Sequence, residues 1–469
     1  MPAFSQELFL YTLGLIGAVI MISALFSGVI ERTGVPQVAV FLGIGALIGP
    51  AGLQLMQAGV DSPILRVVST LSLALVLFTD AVSLNLKEVR EQKRLSFLII
   101  GPGTLLTAAL IALLAYWMLG LHPALAAILG AALSSTDPVL LRGFLKRKSL
   151  DTTVRQALRL ESGMNDAVLL PVVLVAIAMY TSGGLRSEQW TRLALDMFVF
   201  SPGIGVLVAW TAVSLLEFVR RRIGVRRDYE SIYSLGVAFA AFAGAEAVHG
   251  SGFLAAFAAG LTIAALDVQL CDCFLEYGET TAEMALLFTF VLFGASVVWS
   301  GFDVLSPTTL LFTGLVFVAR PAAFIPALLP ARTSWRNRAV IAWFGPRGLS
   351  SLLLVLLAVF ADVRGAATEL VPICSLVVLC SILIHGFSPV FLRGTEKQEA
   401  SDSGEIITID EYKEAIEKGE PITAIDARSD RSLDAEAPGN SIRLDPERPV
   451  ESARAASVPL DHTLAVLCA

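Results

Sequence analysis

Asn165 and Asp166 stand side by side, with Glu161 and Ser162 one turn earlier, inside the otherwise apolar run 158–180. A carboxylate near the middle of a bilayer costs about 2.5–3.5 kcal/mol on insertion scales, and such residues face a cavity, a partner or a pathway rather than lipid. The oxygens of a buried acid offer two chemistries, ligation of a hard cation and carriage of a proton. The two exclude each other, because a protonated carboxyl binds a cation poorly. One acid visited alternately from two sides therefore couples the two movements by competition.

Helical geometry distributes roles around Asp166. Ser162, at i−4, shares its face and offers a hydroxyl to an ion. Thr136 offers a hydroxyl or a backbone carbonyl, and Asp137 adds negative charge nearby. Asn165 suits an orienting role, since its amide hydrogen-bonds backbone or Asp137 but exchanges no proton near neutral pH.

These residues need elements to carry them. The chain has 469 residues, 55% hydrophobic and 16% charged, with a mean hydropathy of +0.73, whereas soluble domains carry about 25% charged residues. The class expected is an all-α polytopic membrane protein. With a span of about 20 apolar residues as the ruler, about thirteen helices follow, centred near Gly17, Gly45, Leu75, Leu106, Ala132, Val168, Gly205, Phe239, Ala258, Leu292, Leu315, Ser351 and Val378. No Lys or Arg precedes the first apolar run, so that run is expected to stay as a helix rather than be cleaved as a signal peptide.

Basic residues set the orientation. Lys87, Arg90, Lys93 and Arg94, then Arg142, Lys146, Arg147 and Lys148, then Arg220, Arg221, Arg222, Arg226 and Arg227, and finally Arg332, Arg336 and Arg338 fall in alternate loops. The opposite loops hold little beyond Arg66, Arg186, Arg192 and Arg364. The amino terminus is thus expected outside and the carboxyl-terminal tail in the cytoplasm. A loop over 267–279 without Lys or Arg is the least constrained part of this reading.

Two helices carry Pro beside charge at mid-depth, Ser134-Ser135-Thr136-Asp137-Pro138 and Phe344-Gly345-Pro346-Arg347-Gly348. Proline removes a donor and clashes one turn back, so both helices should break and bare their half-helix ends. Free backbone survives at that depth only where protein or water surrounds it. As equivalent members of inverted repeats, the two would cross at a midplane site.

Thr136-Asp137-Pro138, Glu161-Ser162-Gly163-Met164-Asn165-Asp166, Ala319-Arg320 and Gly345-Pro346-Arg347-Gly348, in that order over residues 8–392, resemble the monovalent cation:proton antiporters of the NhaP and eukaryotic NHE type. The resemblance implies the NhaA-like fold, exchange of Na+ (or K+ or Li+) for H+ across the cell membrane, and a homodimer. It implies electroneutral exchange from the Asn-Asp pair, and a bridge between Glu161 and Arg320, each costly alone in hydrocarbon. Arg347 would counter exposed carbonyls or the negative charge of the site. Asp80 stands where the family often has an acid at the site's edge, although Thr79-Asp80-Ala81-Val82-Ser83 is poorer in Gly than the family pattern.

Other residues carry less. Asp196, Glu246 and Glu283 fall near expected helix ends and read as interfacial. His122 and His249 at outer loop edges, and His385 near an inner helix end, read as solvated. The five cysteines, including the Cys271-x-Cys273 pair, form no metal or disulfide pattern. No cofactor motif, nucleotide-binding Gly-rich loop or basic nucleic-acid patch is present, and no metal is expected beyond the transported cation.

The chain divides into a transmembrane domain over 1–394, a polar linker over 395–405 and a small cytoplasmic α/β-type tail over 406–469. In the tail, Ile407-Thr408-Ile409, Ala424-Ile425-Asp426, Ala437-Pro438-Gly439-Asn440 and Leu464-Ala465-Val466-Leu467-Cys468 resemble the front of a rhodanese domain. Cys468 matches the nucleophile position of that family. The sequence given ends one residue later, before the anion-binding loop, so sulfurtransferase catalysis is not expected. Two further function classes compete with an antiporter: a membrane-anchored sulfurtransferase or sensor using the tail, and a cation channel built on the same charged residues.

Overall fold

The computed structural model describes residues 37–396 except 51, 55–58, 61, 85, 146–149, 183–186, 224–226, 267–271 and 332, together with positions 14, 17, 21 and 25 and, in the tail, 422–426, 441–443, 456 and 463–467. Two units separate, Met1–Leu392 and Arg393–Ala469.

The helices of the first unit are α1 (Gln37–Ile48), α2 (Pro63–Val82), α3 (Lys93–Leu119), α4 (Pro123–Ser134), α5 (Pro138–Leu145), α6 (Thr152–Thr181), α7 (Glu188–Arg222), α8 (Arg227–Ala247), α9 (Gly252–Leu266), α10 (Asp272–Ala295), α11 (Pro307–Ala327), α12 (Trp335–Trp343), α13 (Leu349–Phe360) and α14 (Val371–Glu396). Among the described residues, seven helical stretches are long and apolar enough to cross a membrane, and five shorter apolar helices accompany them. The expected span centred on Gly17 lies outside the continuously described residues.

Local chemistry sets these boundaries. Pro123 opens α4 behind His122, whose Nδ1 accepts the Ala124 N–H at 3.3 Å. Asp151 caps α6 by accepting the Thr153 N–H at 2.8 Å. Ser306 and Thr309 form a reciprocal capping box at the start of α11. Within α3, Pro102 sits in a π-turn, Ile99–Gly103. The wider turn accommodates a residue that can neither donate nor approach the preceding carbonyls. Nearby hydroxyls pick up the loosened carbonyls: Thr104 donates to Ile99 O at 3.0 Å and Thr107 to Gly103 O at 2.8 Å.

The two Pro-bearing segments are divided rather than kinked. Pro138 is the first residue of α5, where its missing N–H is no loss and its fixed φ suits a helix start. Pro346 lies in the non-helical bridge 344–348 between α12 and α13.

Helices pack into two groups. One contains α1, α2 and α7–α10; the other contains α3–α6 and α11–α13. Packing inside each group is dense, and among the described residues the groups meet where α2 lies against α6 and α13, α10 against α13, and α1 against α5. Small residues let helices approach closely: Gly45 and Gly294 face each other's backbones where α1 crosses α10. A separate apolar cluster, including Phe144, Leu158, Phe324, Ile341 and Phe344, closes one end of the second group. Phe144 and Phe344 stack there at 3.8 Å between centroids.

Two expectations are corrected. Helix α10 begins at Asp272, so the expected loop over 267–279 without Lys or Arg is helical from 272 onward, and 267–271 lie outside the described residues. Glu283 is therefore inside a helix and half-buried, not at a helix end, because α10 extends further back than its apolar centre suggests.

In the second unit, three parallel strands form a sheet in the order β2-β1-β3: β1 (Ile422–Asp426), β2 (Ile442–Arg443) and β3 (Thr463–Leu467). Ile425 pairs with Ile442 on one side and Val466 on the other. Parallel neighbours require crossover connections. Cys468 follows β3 directly and lies outside the described residues.

Candidate functional site

The two interruptions meet. The Asp137 N–H donates to the Pro346 carbonyl at 2.9 Å, backbone to backbone. Asp137 Oδ1 accepts the Val139 N–H at 2.8 Å, and Oδ2 accepts the Leu349 N–H at 2.7 Å. One carboxylate thus caps two helices, α5 in its own segment and α13 in the other, at the ends where the helix dipole is positive. Asp137 entered the reading above as a cation- or proton-binding group. The geometry also makes it a clasp between the breaks, each oxygen accepting a backbone N–H while the carboxylate keeps a further lone pair.

Gly348 explains how the clasp closes, because a Cβ there would collide with the Asp137 carboxylate. Gly345 does the same for Arg320, whose guanidinium fills the space a side chain would need.

Asp166 lies on α6 beside the first break, 4% exposed. Its Oδ1 accepts a hydrogen bond from the Ser135 hydroxyl, and the Ser350 hydroxyl also interacts with its carboxylate. Hydroxyls from both interrupted segments therefore converge on one acid. Neither serine was assigned a role from sequence. Ser135 sits in the break motif itself, and its extended backbone at φ −60°, ψ 140° takes it out of the helix that precedes it.

Asn165 ties α6 to the same break. Its Nδ2 donates to Thr136 Oγ1 at 2.7 Å and, more weakly, to Thr136 O at 3.5 Å. The expected orienting amide is thus directed at Thr136 rather than Asp137. The Thr136 hydroxyl oxygen is engaged by that amide. Asn165 Oδ1 is buried without a hydrogen-bond partner, as is the Ser351 hydroxyl. Orphaned oxygens of this kind suit water or a cation. Ser162 is buried, and its hydroxyl donates to Arg159 O at 3.2 Å, leaving oxygen lone pairs free.

Glu161 and Arg320 form a two-pronged pair in the interior, Nη1 to Oε1 and Nη2 to Oε2, the latter at 2.7 Å. Arg320 also donates to the carbonyls of Ala342 at 3.1 Å, Ile341 at 2.9 Å and Phe344 at 3.3 Å. Its guanidinium lies 4.1 Å from the Phe324 ring centre. The cation therefore serves the carboxyl-terminal end of α12, where unpaired carbonyls carry partial negative charge. No comparable cation caps α4 among the described residues.

Arg347 donates from Nη1 to the Gly345 carbonyl within its own bridge, and its Nε and Nη2 are buried without partners. It answers a freed carbonyl of the bridge. Asp80, half-buried on α2, lies against Gly163 of α6, at the seam between the helix groups. Glu246 lies at a helix end and accepts the Gly252 N–H at 2.9 Å, whereas Asp196 stands at a π-turn inside α7 rather than at its end, facing Arg192 one turn earlier.

His385 is a correction. It is 6% exposed rather than solvated, with Nδ1 3.3 Å from the Ser381 hydroxyl and its ring near Phe317 and Trp343. Helix α14 continues past it to Glu396, so the position is interior to the bundle rather than at a water-facing end.

Fold and site together define a class, a multi-pass helical membrane protein in which two divided helices meet beside a buried carboxylate. The family described as sodium/hydrogen exchanger, transmembrane, matches residues 18–392, and the chain belongs to it. This is a family of cation/proton exchangers, secondary transporters rather than enzymes. The K(+)/H(+) antiporter NhaP of Alkalimonas amylolytica is 27% identical over 385 residues, covering 80% of this chain and 65% of that protein. The Na(+)/H(+) antiporter of Schizosaccharomyces pombe is 26% identical over 300 residues, 56% of this chain and 62% of that one. The chain thus spans less than two thirds of the length of these curated relatives. Among solved structures, the sodium proton antiporter MjNhaP1 from Methanocaldococcus jannaschii superposes with a TM-score of 0.66 at 19% identity, covering 80% of this chain and 99% of that one. The helical unit has that fold.

Proposed function

We propose that this chain exchanges a monovalent cation for H+ across the cell membrane, one for one, with cation and proton competing for Asp166. The observation that carries this reading is the convergence of hydroxyls from both divided helices on one buried carboxylate, beside the unpartnered oxygen of Asn165. In the cation-loaded state, Asp166, Ser162 and Asn165 would supply hard oxygens. In the proton-loaded state the acid is neutral and the cation leaves. Alternating access would move one helix group against the other along the seam between them, with Asp80 at its edge. Asp137 and Thr136 would hold the breaks together around the site, and Glu161, Arg320 and Arg347 would balance buried charge and freed carbonyls.

The cation is Na+ in this reading, with K+ and Li+ as alternatives; relatives named K(+)/H(+) and Na(+)/H(+) antiporters support either of the first two. The remaining assignments rest on the sequence: thirteen spans, the amino terminus outside, a homodimer, a transmembrane domain over 1–394, a linker over 395–405 and a cytoplasmic rhodanese-like tail over 406–469. The parallel strands of the tail agree with an α/β type. Reconstitution tests the central claim. Purified protein in liposomes should dissipate an imposed proton gradient on addition of Na+, K+ or Li+, at a rate insensitive to voltage. Voltage-dependent exchange would overturn electroneutrality, and flux in Asp166→Asn would overturn the site.

A further inference from the structure

His385 is titratable, buried and unused by the mechanism above, yet it lies beside the second break. Three contacts define its position. The Arg347 N–H, in the non-helical bridge, donates to Ser381 Oγ at 2.6 Å. That same hydroxyl lies 3.3 Å from His385 Nδ1, one turn further along α14. The imidazole also reaches the backbone carbonyl of Trp343, the last residue of α12. Its ring is held between Phe317 on α11 and Trp343, with centroids 5.6 Å and 5.9 Å away.

We propose that His385 is a positioning residue for the exchange reaction, a clamp that holds both edges of the second break from the neighbouring helix. The hydroxyl of Ser381 has one proton. With the Arg347 amide accepted on one lone pair, it offers that proton to His385 Nδ1, and the clamp takes the tautomer in which Nδ1 accepts. In that tautomer the other ring nitrogen carries the imidazole proton and donates it to the Trp343 carbonyl at the end of α12, which also accepts the Gly345 N–H at 3.0 Å. A neutral imidazole with this tautomer serves one carbonyl on one side of the bridge and one amide on the other. The effect reaches the acid site through backbone alone, since the same bridge supplies the Pro346 carbonyl to Asp137 and leads directly into Leu349, whose amide its carboxylate accepts.

A glutamine side chain also offers one acceptor and one donor and bears no titratable proton, whereas leucine fills similar volume and offers neither. His385→Gln should therefore retain exchange near the wild-type rate. His385→Leu should lower the maximal rate about tenfold or more, in line with the cost of misplacing a catalytic element by a fraction of an ångström. Its half-saturating cation concentration should stay close to wild type, because no cation ligand is removed. Hydrogen–deuterium exchange of the purified full-length protein in detergent gives a readout that needs no transport. In His385→Leu the peptide covering 343–349 should exchange faster, while peptides from α6 and α9 stay protected; His385→Gln should match wild type throughout.

The kinetic arm rests on the proposed antiport, and the exchange-protection arm does not. An inactive wild type would remove the antiport reading and leave the clamp to be judged by protection of 343–349 alone. Unchanged protection and unchanged rate in His385→Leu would overturn the clamp. So would equal damage in the Gln and Leu variants, which would show that the imidazole ring acts by shape.

Discussion

Asp137 accepts the Leu349 amide at 2.7 Å, so a residue of the first break caps the helix that begins after the second. Its other oxygen caps α5. An asparagine presents only one acceptor oxygen, and its amide nitrogen would face a backbone N–H. Asp137→Asn should therefore leave one buried donor unpaired, at about 1–3 kcal/mol. We expect lower thermal stability in detergent and nearly complete loss of exchange. Wild-type stability in this variant would contradict the double cap.

Gly348→Ala should act on the same clasp from the opposite side, because its Cβ would enter the space of the Asp137 carboxylate. The damage is steric, so it should be smaller when the nearest obstacle, the carboxylate, is also removed, although the Asp137 Cβ remains 2.7 Å from the added carbon. In a double-mutant cycle, Gly348→Ala should destabilise the Asp137→Ala background less than it destabilises wild type. Strict additivity of the two losses would argue that the residues do not touch.

The helical class, the two breaks and the acid at their junction were legible because each rests on local chemistry. Hydropathy marks a span, proline marks a break, and a carboxylate inside an apolar run marks a position that must face protein or water. The partners were not legible, for they depend on which backbone atoms two distant segments present to each other. Nothing in the run 134–138 says that Asp137 will cap a helix more than two hundred residues later. Ser135 and Ser350 look like ordinary small polar residues of packed membrane helices. His385 was misread for a related reason: proximity to an expected helix end was taken for access to water, whereas Ser381, Trp343 and Phe317 enclose it.

Glu161 and Arg320 are both 2% exposed. Removing one partner of such a pair leaves the other charge buried, at about 3–5 kcal/mol. Glu161→Ala should therefore reduce folded protein in the membrane more than it changes the kinetics of what remains. Because Arg320 also serves three carbonyls of α12 and its bridge, Arg320→Ala should be the more damaging of the two. Fluorescence-detected size-exclusion chromatography of the two variants orders them directly.

Asp151, at the exposed start of α6, has a carboxyl held below its ordinary value of 3.8 by the Thr153 backbone N–H and then by the Asn337 side chain. A depressed folded-state value means that ionised Asp151 favours the folded protein. That contribution is complete above the unfolded value and is lost as pH falls through the folded one. Asp151→Asn keeps an oxygen for the cap and loses the charge. Its stability deficit relative to wild type should be present at neutral pH and fade as pH falls through the folded-state value, disappearing once the carboxyl is protonated. Thermal unfolding of both proteins across that range measures it, and a deficit constant with pH would remove the charge from the explanation.

Asp166→Asn tests the competition itself. The amide keeps the shape of the side chain and can still accept from Ser135, so the protein should fold, and its gel-filtration profile should match wild type. It can neither release a proton near neutral pH nor offer a carboxylate to a cation. Exchange should fall to background for Na+, K+ and Li+ alike. Ser135→Ala makes the complementary change by leaving the acid and removing a hydrogen bond that stabilises its charged form. Proton and cation should then compete on shifted terms, so the pH at which exchange is half-maximal should move upward while a saturating cation restores the rate. A shifted pH midpoint in Ser135→Ala beside a silent, folded Asp166→Asn would locate both substrates on one side chain. A pH midpoint identical to wild type would place the titrating group elsewhere.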